Sequence, residues 1–399
     1  MNISIPKEVE RALNILQNNN FEAYIVGGCV RDSIMGKLPS DWDITSSAKP
    51  EEIIKCFKGY KTIETGLKHG TITVIIGKMP IEITTYRIDG EYTDNRRPDE
   101  VFFTSDISFD LKRRDFTINA LAYNEKGIID LYGGMADIKN KIIKCVGDPN
   151  ERFEEDGLRI LRALRFASVL EFRIEKNTAY SIYKNKHLLK NISRERINIE
   201  LNKLIMGNNF HQVINSYRDV VEVFLPEIAV LSKEDLKYRL NSMKRLNSLS
   251  LRLTLLLHGI EFPDKILTNL KYDNRTIKTV KLLSENIDGK IFPESVNIKR
   301  WLNKIGHTNL KMLIKIKSAL FQEEKENLLQ SEIIMNKIIE TNQCYSLKTL
   351  AVSGNDLIEA GIPKGKNIGI VLNDLLNKVI EGKLENEKES LMNYVCSGL

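Results

Sequence analysis

The chain divides by the period of its apolar positions. In the first ~147 residues, short β-branched runs alternate with helical stretches. Beyond them apolar residues recur almost throughout at helical spacing. Pro6 opens a stretch whose Val9, Leu13 and Leu16 share one helix face, and Pro50 opens another carrying Ile53, Ile54 and Phe57. Glu22 to Val26 reads as a short strand running into Gly27-Gly28, with a helix opening at Val30-Arg31-Asp32. Thr71 to Ile76 and Ile81 to Tyr86 read as strands joined by a turn at Gly77-Lys78-Met79-Pro80. Ile128 to Leu131 and Ile142 to Val146 are further strand candidates. After Gly147-Asp148-Pro149 strand signals nearly vanish, and breaks fall at Gly207-Asn208-Asn209, Pro226, Pro263, Pro293 and Ser353-Gly354-Asn355. The pattern predicts an α+β protein: a mixed α/β head with a small sheet over residues 1–147, then an all-α remainder divided into 148–225, 226–340 and 341–399. No internal repeat or low-complexity tract interrupts this plan.

At 399 residues the chain exceeds one compact core. Its net charge of +6, from 59 basic and 53 acidic residues, is compatible with nucleic acid without demanding it. Cys29, Cys56, Cys145, Cys344 and Cys396 form no Cys-x-x-Cys pair, so neither a zinc site nor a disulfide framework is expected. No run reaches the ~18 apolar residues of a membrane span, and no secretory pattern is evident. The expectation is a cytoplasmic protein without a membrane association and with no protein partner implied.

Chemistry gathers in the predicted head. Asp41-Trp42-Asp43-Ile44 alternates carboxylates with apolar residues, and on a strand residues two apart face the same way. Such a pair suits hard divalent ions bridging protein and triphosphate. Upstream, Gly27-Gly28 lets backbone amides approach a phosphate, and Arg31 adds a fork of donors. Singly, a Gly-Gly turn and an Asp-x-Asp are ordinary loop features; together, on strand-like segments, they resemble the nucleotidyltransferase superfamily that includes DNA polymerase beta.

Three further clusters follow. Arg113-Arg114-Asp115-Phe116-Thr117-Ile118-Asn119-Ala120 reads either as the solvated start of an apolar helix or, beside a metal site, as phosphate ligands. Asp130-Leu131-Tyr132-Gly133-Gly134 with Asp137 reads as strand, tight turn and helix entry: plain punctuation, or a hinge. Glu154 to Phe166 reads as one helix with acids in its first turn, Asp156 and Arg159 being i, i+3 neighbours. A surface ion pair is the ordinary reading, but the apolar residues around this helix imply burial, and buried charges need partners. An accepting Asp beside a donating Arg matches the donor-next-to-acceptor edge that cytosine and adenine share and that guanine and uracil reverse.

In this order the motifs resemble class II tRNA nucleotidyltransferases, the bacterial CCA-adding enzymes. The motifs run from about residue 24 to 200 and end at Ile192-Ser193-Arg194-Glu195-Arg196. The resemblance implies a nucleotidyltransferase head (1–147), neck (148–225), body (226–340) and tRNA-contacting tail (341–399). It implies that Asp41 and Asp43 bind Mg2+ and activate the 3′-hydroxyl. Gly27, Gly28 and Arg31 hold triphosphate, and Arg113 and Arg114 contact nucleotide or phosphate. Asp156 and Arg159 pair with the incoming base, with Arg162 and Arg165 along the same helix. Glu82 enters as a third acidic group near the metals, though a single glutamate on a strand is ordinarily surface. The polar segment from Tyr86 to Pro98, with Arg87, Asp89, Asp94, Arg96 and Arg97, matches the family's flexible loop, which CC-adding relatives lack. His258-Gly259 stands where some relatives carry His-Asp, which speaks against a second phosphohydrolase site.

The implied activity is template-independent addition of C, C and A to tRNA from CTP and ATP. An A-adding enzyme, a bacterial poly(A) polymerase, or a catalytically silent tRNA-binding protein remain as alternatives at this stage.

Overall fold

The computed structural model describes residues 3–90 and 100–398. Two compact units follow one another along the chain, Met1–Ala229 and Val230–Leu399.

The first unit is built on a seven-stranded sheet. Its strands are β1 (Ala23–Val26), β2 (Asp43–Ser46), β3 (Lys61–Ile63), β4 (Thr71–Ile76) and β5 (Met79–Thr85). The ribbon β6 (Arg87–Asp89) and β7 (Val101–Phe103) stands apart, and β8 (Leu121–Asn124) and β9 (Gly127–Asp130) complete the sheet. The sheet order is β3-β4-β5-β2-β1-β8-β9; β2 and β5 run parallel and the other neighbours antiparallel. Alternation explains β4: Ile72, Val74 and Ile76 are buried while Thr71, Thr73 and Ile75 are half-buried on the opposite face. Helix α1 (Lys7–Asn18) buries Val9, Leu13 and Leu16, the face its spacing predicts. Helices α2 (Gly28–Ile34) and α3 (Pro50–Cys56) follow β1 and β2, and α4 (Ile107–Lys112) and α5 (Gly134–Asn140) flank the last two strands. A minor parallel pair, β10 (Ile142–Ile143) and β11 (Arg173–Ile174), is the last strand structure among the described residues.

Next come α6 (Pro149–Glu155), α7 (Leu158–Leu170), α8 (Lys176–Asn185), α9 (Arg194–Met206), α10 (Phe210–Ser216) and α11 (Arg218–Val221). Helix α7 is buried nearly all round, as its unstriped apolar sequence implies. Gly207 lets the end of α9 press onto α7, because a Cβ there would lie 2.3 Å from Ser168 Oγ. The second unit is all helix, from α12 (Lys233–Met243) through α13 (Leu249–Leu257), α14 (Pro263–Asn269), α15 (Asn274–Ser284), α16 (Ser295–Leu320), α17 (Lys325–Glu340), α18 (Gly354–Glu359) and α19 (Lys366–Ile380) to α20 (Lys388–Gly398). Gly306 at φ 77° kinks α16. Leu357, Leu375, Leu376 and Leu391 centre the apolar cluster under the last three helices. His258 caps α13.

Three local expectations are corrected. Asp41 lies just before β2 rather than in it, yet Trp42 is buried between two exposed aspartates, so both carboxylates still point outward. The Arg113 to Ala120 segment forms no apolar helix. Arg113 caps α4, a single 3-10 turn covers Thr117–Asn119, and the chain then enters β8. Glu154 to Phe166 is two helices rather than one. Asp156 is extended, at φ −142° and ψ 101°, and its Oδ1 accepts from the Leu158 amide at 3.0 Å. An aspartate capping its own following turn, next to Gly157, starts a new helix more favourably than it continues the old one. The Asp130 cluster is helix-entry chemistry. Asp130 accepts from the Gly134 and Met135 amides at 2.7 and 2.9 Å, and Asp137 accepts from Thr117 Oγ1 at 2.6 Å.

Candidate active site

The turn out of β1 begins the site. Gly27 at φ 82° lies in a region where a side chain is strained, and its amide donates to Leu121 O on β8 at 3.1 Å. A Cβ on Gly27 would also sit 3.1 Å from Arg114 Nη1, so the glycine leaves that guanidinium room over the turn. Helix α2 then carries Arg31 to a cleft of about 430 Å³. Gly27, Gly28, Arg31, Asp41, Asp43, Arg114, Arg162 and Arg165 all line it, together with Asp115, Asn119, Phe166 and Lys203.

One wall is acidic. Asp43 faces Glu82 across the parallel β2–β5 pairing, so the two carboxylates project from the same side of the sheet. Crowding by protein, then the negative charges of Glu82 and Asp41, pushes the Asp43 carboxyl up to about 6, against a lowering by Arg114. Ser40 Oγ donates to Asp41 Oδ2 at 2.9 Å. Among the described residues no group of three or more acidic, His or Cys side chains is gathered closely enough to cage an ion. Two hard oxygen donors open to the cleft do fit a divalent ion whose remaining ligands come from a phosphate. Cys29, behind them, donates to Val26 O at 3.3 Å, and burial first of all raises its thiol to about 11, so it is packing rather than chemistry.

The other wall is a hydrogen-bonded chain of charged and amide side chains. Arg31 donates to Asn119 Oδ1 at 2.5 Å, Asn119 to Asp115 Oδ1 at 3.0 Å, and Arg162 to Asp115 Oδ2 at 2.6 and 2.8 Å. Glu200 on α9 then approaches Arg162 at 3.5 Å and Arg165 at 2.8 Å. Phe166 sits beneath, with Arg165 3.9 Å over its ring and Arg31 at 5.2 Å. Burial alone would raise the Asp115 carboxyl, but Arg162, the Asn119 and Arg162 hydrogen bonds and Arg159 outweigh it and hold it well below the usual carboxylate range. Asp110 is equally instructive. It is fully buried, accepts from Arg113 at 2.6 and 3.0 Å and from Arg114 at 3.1 Å, and thereby sets both arginines from one point. Burial opposes its ionisation, yet the two arginines depress it.

The remaining sequence candidates stand outside the cleft lining. Arg113 turns to Asp110 and lies 3.9 Å from Asp89, which also accepts from Arg87 at 2.9 Å. Arg159 is buried; it donates to Arg113 O and Arg152 O at 3.0 Å and pairs with Glu155. Asp156 Oδ2 accepts from Arg196 at 2.7 Å rather than from Arg159. Asp94, Arg96 and Arg97 lie outside the described residues. Sequence reasoning missed Asp110, whose signal was its i, i+3 and i, i+4 spacing to the two arginines, and Glu200, which no local pattern ties to Arg165. It also missed Lys203, one turn beyond Glu200 on α9, which brings an exposed ammonium to the cleft.

Comparison with known proteins bears on the whole chain. The profile described as "Poly A polymerase head domain" matches residues 23–144. "Probable RNA and SrmB- binding site of polymerase A" matches 171–231, and "tRNA nucleotidyltransferase domain 2 putative" matches 246–395. The CCA-adding enzyme of Ligilactobacillus salivarius is 39% identical over 98% of this chain and 96% of its own length. That of Levilactobacillus brevis is 38% identical over 97% of this chain and 98% of its own. The crystal structure of the Bacillus stearothermophilus CCA-adding enzyme in complex with CTP superposes with a TM-score of 0.84 at 30% identity, covering 98% of this chain and 99% of that one.

Proposed function

This chain belongs to the family of CCA-adding enzymes, and from that premise we propose how its own residues carry the reaction. The enzyme adds C, C and A to the 3′ end of tRNA from CTP and ATP and releases pyrophosphate. The observation that carries the reading is the cleft itself, where two outward aspartates face Gly27-Gly28, Arg31, Arg114 and Arg165 across about 430 Å³.

The tRNA 3′-oxygen attacks the α-phosphorus of the nucleotide. A new P–O bond forms, the hydroxyl proton passes to solvent, the bond to the oxygen bridging the α- and β-phosphates breaks, and pyrophosphate leaves. Asp41 and Asp43 would hold Mg2+, with Glu82 as an outer carboxylate; bound there, the ion would supply charge neutralisation and make the 3′-hydroxyl more acidic. Arg31 and the Gly27-Gly28 turn hold the triphosphate, and Arg114, Arg165 and Lys203 offset charge on the leaving group. The work is positioning and charge compensation, in a wall already rigid with ion pairs.

Base choice falls to Asp156 and Arg159. Asp156 accepts from an exocyclic amino group and Arg159 donates to the adjoining ring nitrogen, provided each exchanges a bond it makes here to Arg196 or to Glu155. Arg162, bonded to Asp115, then fixes α7, which carries Arg159 and begins just after Asp156. The chain is read as head (1–147), neck (148–225), body (226–340) and tail (341–399). No helix among the described residues is long and apolar enough to cross a membrane; a cytoplasmic location follows from the substrate.

The test offers tRNA ending at the discriminator base, at C and at CC, with each nucleotide separately. Incorporation of C into the first two and A into the third supports the reading. A-only incorporation would point to an A-adding enzyme, unlimited A addition to a poly(A) polymerase, and binding without incorporation to a silent protein.

A further inference from the structure

The second unit holds a cavity of about 550 Å³ that the reaction does not use. It lies within the ~300–1,000 Å³ range of sites for small organic groups. Its floor is apolar, made by Leu246, Leu251, Ile314, Ala319 and Leu329. Leu329 is 59% exposed, an aliphatic surface left facing solvent. The surround is cationic: Lys244, Arg245, Lys315 and Lys325 are exposed, against the single acid Glu332. Arg252 differs from them. It is 8% exposed, and its Nε donates to Leu246 O at 2.7 Å, which fixes the plane of the guanidinium at the cavity wall. Arg245 is tied by a 2.9 Å bond to Ala319 O.

A bare anion would leave the apolar floor wet, and a purely apolar ligand would strand the cations. A nucleotide answers both, with its base on the aliphatic floor and the Arg252 plane and its phosphate among the lysines. We infer that this cavity takes one nucleotide of the tRNA substrate, other than the terminal one that reacts. Asn247 and Glu332 supply the donor and acceptor for its edge. The inference rests on the proposed tRNA substrate. The same chemistry exists in a free mononucleotide, so the experiment separates the two sources.

Two variants of the full chain are compared with wild type. Leu329→Trp fills the cavity from an exposed position, and Lys315→Gln/Lys325→Gln removes rim charge. Folding is checked by circular dichroism and melting. The expected result is that Leu329→Trp weakens tRNA binding on the order of tenfold, the loss of one stacked base. The double variant lowers the slope of log affinity against log salt by about 1, the one phosphate the two lysines share. kcat and the KM for CTP and ATP stay unchanged in both. Unchanged tRNA affinity in a folded Leu329→Trp protein overturns the inference. So does AMP or CMP binding at a second site that Leu329→Trp abolishes while tRNA affinity holds, since that assigns the cavity to free nucleotide. Affinity is read by filter binding without turnover. A wild-type protein that binds tRNA but adds nothing therefore defeats the catalytic reading alone.

Discussion

The two units solve the same folding problem with different materials. The second is held mainly by leucines and isoleucines, with Leu375, Leu376 and Leu391 meeting under α19 and α20, though it too buries Arg252 and Lys317. The first buries charge beside its sheet: Asp110 at zero exposure, and Asp115, Arg31 and Arg159 below a tenth. Such groups are costly to bury and must be paired, so each fixes its neighbours in a way that a leucine does not. The polar unit therefore couples stability to chemistry. The second unit contributes stability and surface.

Asp43→Asn strains this contrast most. Loss of one outward carboxylate should lower kcat for both C and A addition by at least roughly 10²-fold, the scale of a lost transition-state contact. tRNA affinity should survive. Near wild-type turnover would remove Asp43 from catalysis.

Next in size is a matched pair of truncations. Asp115→Ala removes the nearer of the two carboxylates beside Arg162, with Glu200 remaining at 3.5 Å, and should cost about 1–3 kcal/mol; because Asn119 and Arg31 hang from it, the KM for nucleotide should rise as well. Leu375→Ala in the second unit should cost about 2–5 kcal/mol and leave nucleotide KM untouched at temperatures where the protein is folded. Denaturant melts and steady-state kinetics on both variants decide it. A Leu375→Ala protein with impaired nucleotide KM would break the division between units.

Acidity sharpens the comparison inside the first unit, where two carboxyls are shifted in opposite directions. Asp43 titrates at about 6, above the ~3.9 of an unfolded chain. The fold thus holds that proton more tightly than the unfolded chain does, and ionising Asp43 costs stability as pH rises from about 4 through 6. Asp115 is depressed, so its stabilisation is present above the ordinary carboxyl value and fades on acidification. Without divalent ions, the melting temperature of Asp43→Asn should exceed wild type by a margin that grows between pH 4 and 7. A margin independent of pH contradicts the assignment.

Lys203→Ala carries the smallest effect. An exposed ammonium contributes about 0.2–1 kcal/mol, so nucleotide KM should rise no more than about fivefold with kcat unchanged. An effect on tRNA affinity alone would move Lys203 from the nucleotide to the RNA.

Much of the first unit is legible in its sequence because backbone demands leave marks. Gly27 is required by a positive φ, Asp130 by a helix entry, and β4 by its alternation. Asp41 and Asp43 were legible as a pair even though only one lies on the strand, because buried Trp42 enforces the alternation either way. What stayed hidden depends on contacts far apart in the chain. Glu200 meets Arg165 from another helix, and nothing local to either residue records it. The break at Asp156 was hidden for a different reason. Its acids and apolar residues suit a continuous helix, and the decision rests on one side chain bonding to the Leu158 amide.

The succession from Arg31 through Asn119, Asp115 and Arg162 to Glu200 also bears on how such a protein can change over generations. Each member has a neighbour of opposite character, so a substitution at one link selects for a compensating one at the next rather than standing alone. Paths between variants of this wall should run through pairs of replacements. Pairwise mutational scans should find strong epistasis along this succession.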